Sequence, residues 1–300
     1  MANQSLNISL EKALRSTFIE QLKAEPSLVD KLATTVSSSA RSEDFAWVGE
    51  SPTLKDWPAG QERDPQIVSE AKYSVDNARF EATISVARMD LDDDQVGGLP
   101  LRIRQLAQRA QQHKNSLIVS ALAGGEALAC YDGSAYFGDH PARGAQSGTQ
   151  SNIHAASGTT TAAISSDLSA CIAKMRKFKD EYNQPLNGEL VGSLTLVCSP
   201  DLERPMTEVL ESGMIEASDN VMRQKASMLV SSRLQGDSWY CLNTGDVIRP
   251  LLYSDRDPIE FAALESSSDM GFKSEQYMYG VRYRGAVGFS HWARAVLVKA

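Results

Sequence analysis

One glycine- and serine-rich stretch holds the first candidates for chemistry. They are Asp132, Asp139, His140 and His154, whose carboxylate and imidazole groups are common metal ligands. Their spacing matches neither H-x-x-x-H nor H-E-x-x-H, and no cysteine pair accompanies them. An imidazole just before Pro141 is better suited to ordering a turn through its ring nitrogens. We therefore expect neither a metal site nor a catalytic site in this stretch.

An acidic run, Asp90-Leu91-Asp92-Asp93-Asp94, is the second candidate, because calcium and magnesium prefer oxygen ligands. An EF-hand loop needs ligands at alternate positions, a central glycine and a distal glutamate, and this run lacks that pattern. Carboxylates near a helix start are stabilised by the helix dipole, and Asp94 lies a few residues before a long predicted helix. The run is expected to be structural.

The remaining histidines and the cysteines also have structural interpretations. His113 falls on the apolar side of a predicted helix and is expected in the core. His291, beside Trp292, is expected in a strand. The cysteines are widely spaced without a C-x-x-C pair, which predicts buried thiols in a reducing cytoplasm rather than a zinc site or a disulfide framework; they are Cys130, Cys171, Cys198 and Cys241.

Signatures of common enzymes are absent from the sequence. There is no G-x-S-x-G, no G-x-G-x-x-G after a strand and no G-x-x-x-x-G-K-[ST]. Gly124-Gly125 follows a helix, which is the wrong context for binding phosphate. We predict no catalytic residue, no cofactor-binding residue and no metal ligand.

Composition sets the broad class of protein. The chain has 300 residues, of which 42% are hydrophobic and 23% charged, so a core of normal size can form. The length allows two domains, or one domain with large extensions. A net charge of −8 disfavours a nucleic-acid-coating role but does not exclude a container for DNA. Neither an apolar run of about 20 residues nor a signal peptide is present, which predicts a cytoplasmic site of synthesis.

The first 72 residues read as extensions. A helix is predicted over 9–23, capped by Ser9, and a second helical stretch follows Pro26; the apolar stripe of the first is Leu10, Leu14, Phe18 and Leu22. Such a helix needs a partner surface, either its own domain or a neighbouring subunit. Residues 42–72 are polar and proline-punctuated but hold Trp47 and Trp57, and aromatic residues in such a segment favour burial against a neighbour.

The rest of the chain alternates strands and helices. A strand is predicted from Phe80 to Val86, and a long helix from Leu101 to Ala123, ended by Gly124-Gly125. The apolar face of this helix comprises Ile103, Leu106, Ala110, Leu117 and Ala121. After a loop-like stretch (131–163), helices are predicted over 165–182 and 200–212 and strands over 190–198, 226–234, 238–242 and 247–253. The tail, 277–299, reads as two strands with a turn near Gly285.

Several short motifs occur in a distinctive order. They are Phe45-Ala46-Trp47-Val48-Gly49 with Pro52 and Trp57; Tyr73-Ser74-Val75-Asp76-Asn77-Ala78-Arg79-Phe80-Glu81-Ala82-Thr83-Ile84; Arg88 to Asp94; Asp132-Gly133 with Phe137-Gly138-Asp139-His140-Pro141; and Tyr279-Gly280-Val281-Arg282 with Gly288. With the order of elements, they resemble the Hong Kong 97-type head proteins, and more specifically the Mu-like prophage major head subunit family. The resemblance covers about residues 40–300.

The resemblance implies an α+β fold of the Hong Kong 97-type phage major capsid protein. Its segments are expected to be an N-terminal arm (1–45), an E-loop hairpin (46–96), a P-domain with a spine helix (97–185), an A-domain (186–255) and a return to the P-domain strands (256–300).

The implied function is that of a major capsid protein that self-assembles, as pentamers and hexamers, into an icosahedral shell around double-stranded DNA. Expected partners are a separate scaffold, since no long leader precedes the arm, a portal, possibly decoration proteins, and packaged DNA without sequence-specific contacts; no membrane is involved. The expected location is the virion, after assembly in the host bacterial cytoplasm. A tail-tube subunit and a hydrolase with an unrecognised site near Asp132, Asp139 and His140 remain as alternatives.

Overall fold

A computed structural model describes residues 2–48, 70–87, 89, 98–143, 147–187, 193–264 and 276–300. Its helices are α1 (Ala2–Ala24), α2 (Val29–Leu32), α3 (Gly98–Gly124), α4 (Thr161–Lys177) and α5 (Glu203–Glu211). Its strands are β1 (Ala33–Ser37), β2 (Ser42–Val48), β3 (Glu70–Asp76), β4 (Ala78–Ala87), β5 (Asp139–His140), β6 (Gln150–Ser151), β7 (Ile153–Ala155), β8 (Leu194–Cys198), β9 (Met214–Ile215), β10 (Ser218–Asp219), β11 (Ala226–Val230), β12 (Trp239–Asn243), β13 (Leu251–Leu264), β14 (Gln276–Phe289) and β15 (Ala295–Lys299). Within these ranges no helix is long and apolar enough to cross a membrane.

A four-stranded sheet in the order β1-β13-β14-β4 forms one half of the fold. Its strands alternate apolar and polar residues, so apolar side chains collect on one face. That face packs against α1 and α3 and contributes Val86, Phe261, Tyr279 and Val281 to a core that also contains Leu14, Phe18, Ile103 and Leu106. The sheet is therefore covered on one face.

The other half is a five-stranded sheet in the order β11-β8-β12-β15-β7. Every residue of β8 and β12 is buried, and the sequence of β8, Leu-Thr-Leu-Val-Cys, is accordingly apolar except for its threonine. Helix α4 starts before the predicted residue 165 because the Thr160 side chain caps it, accepting a hydrogen bond from Ala163 N–H at 3.3 Å. It ends at Lys177 rather than 182 because Phe178 is extended. The predicted helix 200–212 is a 3₁₀ turn, Pro200–Leu202, continued by α5.

Helix α3 connects the two halves. Its 27 residues span about 40 Å at 1.5 Å per residue. The predicted apolar positions Ile103, Leu106 and Ala110 lie in the first core, but Leu117 and Ala121 are only half-buried. Further along, the second core takes the adjacent residues Ile118, Val119 and Leu122. The buried stripe shifts around the helix because the two cores lie on different sides of it.

The N-terminal helix covers its own chain. It spans Ala2–Ala24, so Ser9 lies inside the helix and the predicted cap there is wrong. Leu14 and Phe18 are each 1% exposed, and the Phe18 ring lies 5.1 Å from that of Phe261 in β13. Of the two alternatives for its apolar stripe, packing on its own domain is the one observed.

Residues 42–72, polar and proline-punctuated in sequence, are in part a paired hairpin. Strand β2 pairs antiparallel with β3, from Ser42 opposite Asp76 to Val48 opposite Glu70. The Tyr73 hydroxyl accepts a hydrogen bond from Phe289 N–H at 3.1 Å, which ties the base of the hairpin to β14. Trp57 and residues 49–69 lie outside the described residues, as do Asp90, Asp92, Asp93 and Asp94; of Trp47 only the backbone is described.

The predicted turn near Gly285 is wrong. Strand β14 runs unbroken from Gln276 to Phe289, and Gly285 pairs with Asp255 of β13. A Cβ at this position would lie 2.5 Å from the Tyr253 hydroxyl oxygen, so glycine is required by close packing and not by a turn. The chain instead turns at Trp292–Arg294, a 3₁₀ helix.

The turn divides the C-terminal residues between the two sheets. Strand β13 extends the predicted strand 247–253 to Leu264 and lies with β14 in the four-stranded sheet. Strand β15 lies in the five-stranded sheet, antiparallel to β12. The strands of segment 256–300 therefore belong to two sheets and not to one. Strands β11 and β12 match the predictions for 226–234 and 238–242 with shifted ends.

Candidate functional site

The structure brings only two of the four candidate ligands of the loop segment together, His140 and Asp132, and pairs His154 with a residue outside the segment. His140 Nδ1 lies 2.6 Å from Asp132 Oδ2, and His154 Nε2 lies 3.2 Å from Asp167 Oδ1 on α4. Asp139 is exposed. In the part of the chain that the structure describes, no three His, Cys, Asp or Glu side chains are arranged to hold a metal ion.

The His140–Asp132 pair is buried in a structural role. Their side chains are 1% and 2% exposed, and the His140 ring stacks on Trp292 at 4.2 Å and 7°. Burial alone would raise the pKa of Asp132, but the hydrogen bond and charge of His140 and the Ser134 N–H hold it below its ordinary value. Such a pair fixes two loop segments against the C-terminal turn but exposes no atom to a substrate.

Two buried asparagines that the sequence did not single out complete this loop framework. Asn152 Nδ2 donates to the carbonyl oxygens of Tyr136 (2.8 Å) and Trp292 (3.2 Å). Asn187 Nδ2 donates to Ala293 O at 2.7 Å, and its Oδ1 accepts from Arg294. Local sequence carries no signal for these roles, because asparagine is common in any turn-rich segment.

Two predictions for the remaining histidines need correction. His113 is exposed rather than in the core, because it lies at the edge of the sheet, where its Nδ1 is 2.5 Å from the Tyr283 hydroxyl oxygen. Burial of the ring and the charge of Arg233 lower the pKa of His113. His291 lies in the turn before β15 and not in a strand; its Nδ1 accepts from Ala293 N–H at 3.1 Å.

The cysteines are buried, as predicted. Burial raises the pKa of Cys171 to about 12 and that of Cys198 to about 11, and it raises the pKa of Cys130 and Cys241 as well. Thiols with such pKa values stay protonated at neutral pH, so they are poor nucleophiles and poor metal ligands.

Surfaces, rather than a cleft with reactive groups, are what the described residues offer. The outer face of the four-stranded sheet carries a shallow depression of about 310 Å³, lined by Ala262, Leu264, Met278 and Gly280 together with the polar residues Glu81, Thr83 and Arg282. A second group of exposed apolar side chains, Met214 (60% exposed) and Val221 (69%), lies at the β9–β10 hairpin and the loop after it. Grouped apolar exposure of this kind indicates contact with other chains.

Comparison with solved structures gives the class of protein. The fold resembles a structure described as the procapsid of bacteriophage JBD30, with a TM-score of 0.61 and 23% identity over 99% of this chain and 75% of that one. It also resembles the mature capsid of bacteriophage PhiM1, with a TM-score of 0.59 and 13% identity over 92% and 87%. A virus-like particle from Pyrococcus furiosus has a TM-score of 0.59 and 11% identity over 96% and 98%. The fold is thus the α+β, Hong Kong 97-type fold of phage capsid proteins.

Sequence comparison then gives the family. Residues 8–165 and 231–300 match the family Mu-like prophage major head subunit gpT, and the chain belongs to it. It is 24% identical to the major capsid protein of Escherichia phage Mu over 97% of this chain and 72% of that protein. It is also 24% identical to the Mu-like prophage FluMu major head subunit of Haemophilus influenzae, over 94% and 69%. The predicted family and fold are confirmed, and the protein is a major capsid protein of a Mu-like phage or prophage.

Proposed function

We propose that this chain assembles, as pentamers and hexamers, into the closed icosahedral shell that encloses double-stranded DNA in a Mu-like virion. The observation that carries the proposal is the family match, which spans both halves of the fold. The exposed face of the four-stranded sheet supports it, because copies of a chain with one uncovered sheet face can bury that face against each other.

In this proposal the two large sheets belong to different domains of the capsid protein. The four-stranded sheet with α3 as its spine helix corresponds to the P-domain, and the five-stranded sheet corresponds to most of the A-domain. Residues 1–45 act as the arm and residues 46–96 as the E-loop hairpin; β2, which crosses this boundary, pairs with β3 to form the base of the hairpin. Strand β15 completes the five-stranded sheet, so the C-terminus serves the A-domain in this scheme.

The proposal includes other proteins of the head. A separate scaffold and a portal act with the shell, and DNA is packaged without sequence-specific contacts, in keeping with the net charge of −8. Decoration proteins are included because a JBD30 capsid that resembles this fold is described as decorated with minor capsid protein trimers. Assembly takes place in the host bacterial cytoplasm, no membrane is involved, and the chain has no catalytic, cofactor or metal site.

Electron microscopy of the purified protein, with and without the phage scaffold, tests the proposal. We expect closed shells, built from interfaces that bury roughly 2,000–5,000 Å² each. Rods would instead indicate a tail-tube subunit. Sedimentation of only a 32.7 kDa monomer under all conditions would contradict the proposal.

A further inference from the structure

A cavity of about 510 Å³ opens between α3, β4, β14 and the loop after β11. Its floor is aromatic. The Phe80 ring lies 4.6 Å from the His113 ring and 5.0 Å from the Tyr283 ring, and the His113–Tyr283 hydrogen bond holds the other two rings together. A cavity of this size and composition is large enough to receive a short peptide segment.

Three arginines, Arg79, Arg109 and Arg233, line the same cavity. All three are exposed, and none of their guanidinium groups forms a hydrogen bond or ion pair with a described residue. Among the described residues of its lining there is one carboxylate, that of Glu81, whose Oε2 accepts from Thr83 Oγ1 at 3.0 Å. The described lining thus carries three positive charges against one negative charge, in a chain whose net charge is −8.

Some other arginines of the chain are paired with carboxylates, but what sets these three apart is that they line one cavity. Arg282 pairs with Glu260 at 2.9 Å and Arg294 with Asp246 at 2.7 Å. A guanidinium group forms two parallel hydrogen bonds with a carboxylate, so three such groups around one cavity form a site for an acidic ligand.

We propose that this cavity binds the acidic run Asp90-Leu91-Asp92-Asp93-Asp94 of a neighbouring copy of the chain. The run carries four carboxylates in five residues for the arginines, and Leu91 supplies an apolar side chain for the aromatic floor. A second copy is present at equal stoichiometry in any shell. The inference rests on the proposed shell function, and it identifies one contact between subunits.

A neighbour fits better than the chain's own acidic run. The run belongs to the connection between Ala87 and Gly98. Arg79 lies eight residues back along β4 from Ala87, or about 26 Å. Arg109 lies eleven residues into α3 from Gly98, or about 16 Å. The cavity is therefore far from both Ala87 and Gly98. The chain's own connection would have to reach the cavity from one end and return to the other.

Cross-linking tests the contact directly. Two variants, Arg109→Cys and Asp93→Cys, are purified separately, freed of nucleic acid, mixed, assembled and treated with a short bismaleimide. All four native cysteines are buried, so the introduced thiols are the reactive ones. We expect covalent dimers from the mixed shells and none from either variant alone. Arg102→Cys, an exposed position on the same helix outside the cavity, replaces Arg109→Cys in the control and should give no dimers.

Charge reversal tests the energetics. We expect Arg109→Glu to raise the protein concentration for half-maximal assembly about tenfold and Arg102→Glu less than about twofold, with Asp93→Arg restoring assembly of Arg109→Glu to within about threefold of wild type. The melting temperature of the unassembled chain should be unchanged in every variant. If Arg109→Glu and Asp93→Arg instead compensate each other in the melting temperature of the unassembled chain, the run binds the cavity of its own chain and the inference is wrong.

The outcomes separate the two levels of the proposal. Wild-type protein that never assembles contradicts the proposed function and this inference together. If wild-type protein forms shells, but the mixed cysteine variants give no cross-link and Arg109→Glu assembles as well as Arg102→Glu, this inference alone is contradicted. If Arg109→Glu differs from wild type only when DNA is added, the cavity binds phosphates instead, and this inference is again wrong.

Discussion

The four-stranded and the five-stranded sheet differ in how many of their faces are covered. In the five-stranded sheet, Tyr240 of β12 lies 5.3 Å from the Phe137 ring, and its neighbour Cys241, on the opposite face, is buried in the core to which Cys171 of α4 also belongs. Both faces are therefore packed. In the four-stranded sheet, Tyr279 and Val281 of β14 are buried, whereas Arg282, the next residue of the strand, is exposed on the opposite face, where it pairs with Glu260 of β13.

The difference separates two tasks within one chain. A sheet packed on both faces is stable without a partner, because its apolar area is already removed from water. A sheet packed on one face, with β4 as an edge strand, keeps a surface that another copy can cover. Substitutions in the first sheet should act on folding, and substitutions on the open face of the second should act on assembly.

The largest expected effect is in the doubly covered sheet. Trp239 is 1% exposed at the start of β12. Trp239→Ala should reduce the free energy of unfolding by about 4 kcal/mol, because a large side chain is lost and a cavity is left. Chemical denaturation of the unassembled chain measures it. Val247→Ala, at an 88% exposed side chain, is the control and should change stability by less than about 0.5 kcal/mol.

The next largest effect is expected at the buried His140–Asp132 pair beside this sheet. His140→Ala leaves the Asp132 carboxylate buried without its partner, and we expect a loss of about 3 kcal/mol in the free energy of unfolding. Asp139→Ala, next in sequence but exposed, should be near neutral. Equal effects of the two substitutions would show that the pair does not stabilise the loop framework.

The same pair predicts a pH dependence. The pKa of Asp132 is lowered in the folded chain from the ordinary value of 3.8, so the stabilisation is complete above that value and is lost as the pH falls through the lower, folded-state pKa. Wild type should therefore lose more stability than Asp132→Asn on acidification below pH 3.8. Denaturant titrations at a series of pH values measure the difference, and identical slopes would contradict it.

These residues also show which features local sequence can predict. The long helix α3 and its end at Gly124 follow from helical periodicity and a glycine stop, which are local signals. The unbroken strand β14 does not, because the requirement at Gly285 comes from Tyr253, more than thirty residues earlier in the chain. The pairing of β2 with β3 across the segment 49–69 is likewise set by contacts distant in sequence.

The candidate functional site also combines features that local sequence predicts with features set by residues distant in sequence. Sequence spacing was enough to disfavour a metal at His140 and His154, but the carboxylate partner of His154, Asp167, lies on a helix that the segment itself does not contain. The arginine cavity was not predicted, because Arg79, Arg109 and Arg233 come from a strand, a helix and a loop that only the fold brings together.

The hairpin base should show a smaller effect. Tyr73→Phe removes the hydroxyl that accepts from Phe289 N–H and leaves that donor without its partner, so we expect a loss of about 1 kcal/mol. Hydrogen exchange at Phe289 should become faster by a corresponding factor. Unchanged exchange there would mean that the hairpin is not fixed through this contact.

The smallest effect on folding, and the sharpest test of the comparison, belongs to the open face of the four-stranded sheet. Leu264 is 52% exposed there, so Leu264→Lys should change the free energy of unfolding by less than about 0.5 kcal/mol. Assembly should nevertheless weaken markedly, because burying a lysine at an interface removes its charge from water, which is costly. Leu128→Lys, at a leucine 50% exposed in the loop after α3, is the matched control and should assemble more readily. If both lysine variants form shells as wild type does, the open face is solvent-facing in the shell, and incomplete coverage of a sheet no longer marks the assembly surface.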